Sequence, residues 1–114
     1  MQLKQIVAEL ELSQVTKLDL PSVDVQAGYV SDLLSNVMGQ AGENYIWVTM
    51  QGHPNISAIG SLLSLAAIVV AGGANVEAET IEKANENMLC IFKTELSSFD
   101  IVGKLYALGI KGHE

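Results

Sequence analysis

A chain of 114 residues is long enough for one modest core and short for two. Its 49% apolar content excludes a disordered polymer. Six Lys and Arg against 13 Asp and Glu, a formal charge of −7, argue against nucleic acid or an anionic membrane as partner, because phosphate binding needs clustered cations that displace counterions.

The chain opens on MQLKQIVAEL, which lacks the charged-then-apolar layout of a secretory leader. Leu3, Ile6, Val7 and Leu10 fall at i, i+3, i+4 and i+7, the apolar stripe of an amphipathic helix. A short alternating piece around Val15 and Leu18 ends at Pro21. Val23, Val25 and Tyr29 then suggest a strand interrupted at Gly28. Ser31 is suited to cap a helix running through Met38, with Asp32 in its first turn and Gly39 and Gly42 at its end.

From Tyr45 the pattern becomes regular. Ile46 to Met50 is a short apolar strand. Pro54 suits the start of a helix in which Ile56, Ile59, Leu62 and Leu63 recur at helical spacing. The longest apolar stretch, Ile56 to Gly73, is broken by Ser57, Ser61, Ser64 and glycines, so it makes a poor membrane span and the chain is expected in the cytoplasm. Ala66 to Ala71 reads as a second strand, closed by Gly72-Gly73. Ala78 to Asn87 is a polar helix with Ile81 and Ala84 inward and Glu79, Glu82 and Glu86 outward. Leu89 to Phe92 is the third strand, and it contains the single cysteine, Cys90. One thiol makes no internal disulfide, and its apolar neighbours predict a buried, inert side chain. Ser97 with Asp100 resembles a capping box opening a helix with Phe99, Val102, Leu105, Tyr106 and Leu108, stopped by Gly109. His113 lies in the polar tail and reads as solvated.

Strands that are apolar on both faces and alternate with helices predict a parallel sheet covered on both sides. The expected architecture is a single α/β domain over residues 1–114: a three-layer arrangement with a mainly parallel sheet (strands near 46–50, 66–71 and 89–92) and an N-terminal layer of one helix and a short strand.

In such a sheet the loops leaving the strand carboxyl ends share one rim, the usual place for a ligand. That rim would gather Gln51-Gly52-His53-Pro54-Asn55, Gly72-Gly73 and Ser97-Ser98 beside Gly28, Tyr29, Ser31 and Asp32. Two readings of Gln51–Asn55 stand: a ligand loop whose His53 and Asn55 hydrogen-bond a guest, or a plain turn with a capped helix. Gly72-Gly73 is likewise either a close-approach site or only a turn. Catalytic patterns are sparse. There is no G-x-S-x-G elbow, phosphate loop or His-Glu-x-x-His pair, which leaves His53, with Asp32 as its conceivable partner, the one acid–base candidate.

Three stretches together resemble the DRTGG domain family: GYVSDLLSNVM at Gly28–Met38, WVTMQGHPNI at Trp47–Ile56 and SSFDIVGKLYALGI at Ser97–Ile110. Gly28 fits the last glycine of the naming signature, whereas Ala27 and Gln26 replace the glycine and threonine before it. No arginine is present to make the contact the signature implies. The resemblance implies a regulatory role, since similar domains accompany nucleotide-sensing CBS domains in pyrophosphatases, precede phosphotransacetylase-type proteins, and are related to the N-terminal region of HPr kinase. The reading that follows is a non-enzymatic module that senses a small polar or nucleotide-like ligand and modulates a metabolic enzyme, with no bound cofactor or metal. An interaction subunit acting through homodimerisation is the alternative, because so short and apolar a chain leaves greasy surface to cover. A His53-dependent hydrolase or transferase is the third.

Overall fold

The computed structural model describes residues 1–112. The elements in chain order are α1 (Leu3–Glu9), β1 (Ser13–Gln14), β2 (Ala27–Val30), α2 (Leu34–Gln40), β3 (Tyr45–Thr49), α3 (Asn55–Leu62), β4 (Ala67–Val70), α4 (Ala78–Glu86), β5 (Ile91–Lys93) and α5 (Ser98–Ala107). They build one five-stranded sheet in the order β1-β5-β4-β3-β2. β2 to β5 run parallel, and β1 joins the far edge antiparallel to β5.

The layering follows from the period of two in a strand. Ile46, Val48, Val69 and Phe92 face one side, where they pack with Leu3 and Ile6 of α1 and Ile101 and Leu105 of α5. Trp47, Ile68, Val70 and Ile91 face the other, against Val37 of α2, Ile56 and Ile59 of α3 and Ala84 of α4. From β2 to β5 every crossover steps to the next strand in the same direction. Right-handed connections therefore put α2, α3 and α4 on one face, and α5 returns across the opposite one. The expected α/β layering is the one observed. No helix among the described residues is long and apolar enough to cross a membrane. Cys90 is 1% exposed and free, and burial pushes its thiol pKa up, so it stays protonated and inert.

The N-terminal third departs from expectation. The strand around Val23 and Val25 lies later, at Ala27–Val30, and Gly28 sits inside it. In place of a strand there, the backbone at Asp24 forms an isolated antiparallel bridge with Gln2. α2 begins at Leu34 with Leu33 in the capping position, so Ser31 and Asp32 precede it, and Gly39 lies within the helix. The expectation for His113 falls outside the described residues.

Four helices end in the same way. Glu11, Ser64, Met88 and Gly109 adopt left-handed backbone at φ 51, 55, 58 and 98°. The residue after each, Leu12, Leu65, Leu89 or Ile110, donates its amide back into the last turn at 2.9–3.1 Å. All four of those apolar residues are buried, so each helix stop is also a core contact. Only Gly109 takes this conformation without steric cost, because a Cβ meets the following carbonyl there. Met88 is 74% exposed, so nothing offsets that cost. Met88→Gly is expected to raise the unfolding free energy by about 0.5–1 kcal/mol in urea denaturation. A loss of stability would show that Met88 makes a contact its exposure does not suggest.

Candidate functional site

The parallel strands bring the predicted loops to one rim, and hydrogen bonds then knit those loops together. At the end of β2, the Ser31 hydroxyl accepts from Leu33 N–H at 3.1 Å and the Ser31 carbonyl accepts from the Trp47 indole at 2.9 Å. The Asp32 carboxylate accepts from the Thr49 hydroxyl at 2.6 Å and from Met50 N–H at 2.7 Å, which ties β2 to the loop leaving β3. Thr49 in turn accepts from Gln51 N–H at 3.1 Å. Asp32 is thus a charged clamp between two loops, where hydrogen bonds to an ionised group are the stronger kind.

The stretch Gln51–Asn55 is a junction between three elements. His53 Nδ1 accepts from Asn55 N–H at 3.1 Å, and buried Pro54 occupies the capping position of α3. Gly52 abuts the start of α4: a Cβ built on it would lie 1.7 Å from the Asn75 carbonyl oxygen. The Gly52 carbonyl accepts from the Thr80 hydroxyl at 2.7 Å and from Glu77 N–H at 3.1 Å. Buried Ser57 completes the bolt by donating to the Thr80 carbonyl at 2.8 Å. The side chains of Gln51, His53 and Asn55 are exposed.

Gly72 and Gly73 both have positive φ, at 71 and 65°, and their amides already donate to the carbonyls of Leu96 and Thr94 at 2.7 and 3.0 Å. The Glu95 carboxylate lies over Gly73, 2.8 Å from where a Cβ would stand. An incoming anion would meet amides that are taken and a carboxylate that repels it. Ser97 caps α5, its hydroxyl accepting from Asp100 N–H at 3.1 Å, as its spacing predicts. No group of three or more His, Cys, Asp and Glu among the described residues is placed to hold a metal.

Concave apolar surface lies on the sheet face between β2 and α5. A hollow of about 320 Å³ is lined by Gly28, Tyr29, Val30, Val48, Val102, Leu105, Tyr106, Ile110, Lys111 and Gly112. Gly28 helps to create it. A Cβ there would stand 3.4 Å from Ile110, and the bare backbone lets Gly28 N–H donate to the Lys111 carbonyl at 2.8 Å. The segment after α5 is thereby held along the outer edge of β2. The Lys111 ammonium sits 5.2 Å from the Tyr106 ring centroid, a cation–π contact on the wall of the hollow. A shallower depression, lined by Val30, Ser98, Phe99, Val102, Gly103 and Tyr106, continues from it along α5.

Of the candidates read from sequence, Gly28, Tyr29 and Ser98 line these hollows. The Tyr29 side chain packs with the α2–α4 layer and its hydroxyl donates to Asn36 Oδ1. Ser31, Asp32, Gly52, His53, Pro54, Gly72, Gly73 and Ser97 take part in the rim's own bonds or packing. Sequence reasoning passed over Val30, Val48, Val102, Tyr106 and Lys111. The available signal was α5 itself, whose Phe99 and Tyr106 lie seven residues apart on one stripe, turned away from the face that carries the buried Ile101 and Leu105.

No family model and no curated protein matches the chain. Among solved structures, it is similar to the CBS and DRTGG domains of the regulatory region of Clostridium perfringens pyrophosphatase, complexed with its activator diadenosine tetraphosphate. The superposition has a TM-score of 0.75 at 20% identity and covers 90% of this chain. The chain spans 44% of the length of that one. The α/β fold is thus one found in a regulatory region containing a DRTGG domain, a likeness consistent with a DRTGG-domain protein and with the resemblance carried by Gly28–Met38, Trp47–Ile56 and Ser97–Ile110.

Proposed function

We propose that the chain is a non-enzymatic regulatory module that binds a small molecule with a flat apolar ring and an anionic group, and thereby modulates a metabolic enzyme. The observation that carries this reading is the hollow between β2 and α5, with Gly28 beside it and Lys111 on its wall. Its walls suit a ring: Val30, Val48, Val102, Leu105 and Ile110 are apolar, and Tyr106 supplies an aromatic face. Lys111 supplies the charge complement in a chain of net charge −7. At about 320 Å³ the hollow lies at the low end of the ~300–1,000 Å³ range of ligand pockets, so one ring system fits and an extended dinucleotide would project out of it. The similar pyrophosphatase region binds a nucleotide activator, which has the same pairing of ring and negative charge. The His53-dependent enzyme reading has less support, since His53 Nδ1 and the Asp32 carboxylate both serve loop contacts.

Titrating AMP, ATP and diadenosine tetraphosphate while following thermal unfolding tests the reading. A ligand at ~100-fold its Kd is expected to stabilise the fold by about 2.7 kcal/mol, which for a domain of this size raises the Tm by roughly 10 °C. Val102→Trp, which fills the hollow, is expected to abolish the rise. Lys111→Ala should weaken the charged ligand about tenfold, the equivalent of about 1.4 kcal/mol. His53→Ala should leave binding unchanged. A ligand whose binding survives Val102→Trp and is lost in His53→Ala would overturn the assignment, and so would a flat melting temperature across the series.

A further inference from the structure

The geometry points to the outer stripe of α5 as a two-fold interface with a second copy of this chain. This inference does not rest on the ligand reading. Phe99 is 87% exposed, Tyr106 56% and Val30 47%, and all three line one continuous apolar depression with Val102 and Gly103. Phe99, Val102, Gly103 and Tyr106 fall at i, i+3, i+4 and i+7, a single helical stripe turned away from the buried pair Ile101 and Leu105.

Three features select a second copy as the occupant. The first is symmetry. Phe99 projects at one end of the stripe, the exposed Tyr106 ring lies at the other, and Gly103 stands near the midpoint with no atom within 4 Å of its Cβ position. Two α5 helices packed antiparallel about that midpoint place each Phe99 against the other copy's Tyr106, about 10 Å along the helix. The bare Gly103 lets the two helices approach closely at the crossing.

The second feature is charge. Two chains of net charge −7 repel each other over most of their surfaces, but no acidic residue lines this depression. The third is area. Exposed aromatic side chains of this kind carry about 150–250 Å² each, so Phe99 and Tyr106 together with Val30 and Val102 expose on the order of 300–400 Å². A standard interface takes about 800 Å² per partner, roughly 65% of it apolar in homodimers. The stripe supplies more than half of that apolar share, and aromatic side chains are the usual anchors.

Sedimentation velocity at ~100 µM chain, with crosslinking, is the test. Wild type is expected to sediment as a closed dimer. Phe99→Asp and Tyr106→Lys should each weaken it at least about 30-fold, with unchanged far-UV circular dichroism because both side chains are exposed. Gly103→Cys should form an interchain disulfide under mild oxidation, and Glu82→Cys on α4 should not, since the only native thiol is buried. A wild-type monomer at that concentration would overturn the inference. So would a dimer indifferent to both α5 substitutions and uncrosslinked by Gly103→Cys, or open assemblies that grow with concentration.

Discussion

Replacing Gly52 by alanine is expected to lower the unfolding free energy by about 3 kcal/mol and the Tm by more than ~10 °C. The new methyl group would stand 1.7 Å from the Asn75 carbonyl oxygen and 3.1 Å from Val76 Cα, both backbone atoms. Moving either strand of the loop breaks the contacts that set its position, the Thr80 hydroxyl and Glu77 amide on the Gly52 carbonyl. Overpacking of this kind costs about 1–3 kcal/mol, and each disrupted hydrogen bond adds about 1. Urea denaturation measures the sum. If Gly52 instead serves a bound ligand, the variant keeps wild-type stability within about 0.5 kcal/mol and loses only affinity.

The second large effect is expected at Trp47. Its side chain is fully buried against Val37, Ile56 and Ile59, and its indole N–H donates to the Ser31 carbonyl at 2.9 Å. Trp47→Ala should cost about 3–5 kcal/mol, the range for removing a large aromatic from a packed core. Trp47→Phe keeps most of the apolar volume and leaves the Ser31 carbonyl short of its donor, so about 1–2 kcal/mol is expected. The two variants also differ in where they act. Loss of the indole should speed amide hydrogen exchange at Leu33, which is held by the Ser31 hydroxyl, while the β4 amides stay protected in Trp47→Phe. Equal stability of Trp47→Phe and wild type would mean the indole bond contributes nothing to the rim.

From Tyr45 onward the fold was legible because local and global signals agree. Ile46–Val48, Ala67–Val70 and Ile91–Phe92 are apolar on both faces because helices cover both, and the intervening helices carry their own stripes. The Ser97–Asp100 cap and the Gly109 stop are local chemistry and appear where that chemistry places them. Before Tyr45 the decisive interactions are long-range. Asp32 looks like a first-turn helix residue, yet its carboxylate is claimed by Thr49 and Met50, and the helix starts later. Gly28 looks like a strand breaker, yet its missing side chain is what admits Ile110 and Lys111. β1 has only Ser13 and Gln14, too few residues to show a period, and its place is set by pairing with Phe92 and Lys93. Three of the four left-handed helix stops use Glu11, Ser64 and Met88 in place of glycine, which hides those boundaries from residue-type rules.

The candidate site was half legible for a related reason. Sheet topology correctly gathers the loops after β3, β4 and β5 on one rim. Polar and glycine residues there are also what tightly joined loops require, and the hydrogen bonds of Gly52, His53, Gly72 and Gly73 show that use. The apolar hollow is built from residues such as Val48, Val102 and Leu105 that read as ordinary core in sequence. It exists because α5 crosses the sheet face without filling the corner beside Gly28.

Backbone amide chemical shifts on adding diadenosine tetraphosphate or AMP at saturation test the ligand assignment most directly. The hollow between β2 and α5 predicts the largest shifts at Gly28, Val30, Val102, Tyr106 and Lys111, with Gly52, His53 and Gly73 near their free positions. Shifts concentrated at Gly52, His53, Gly72 and Gly73, or none at all, would contradict it.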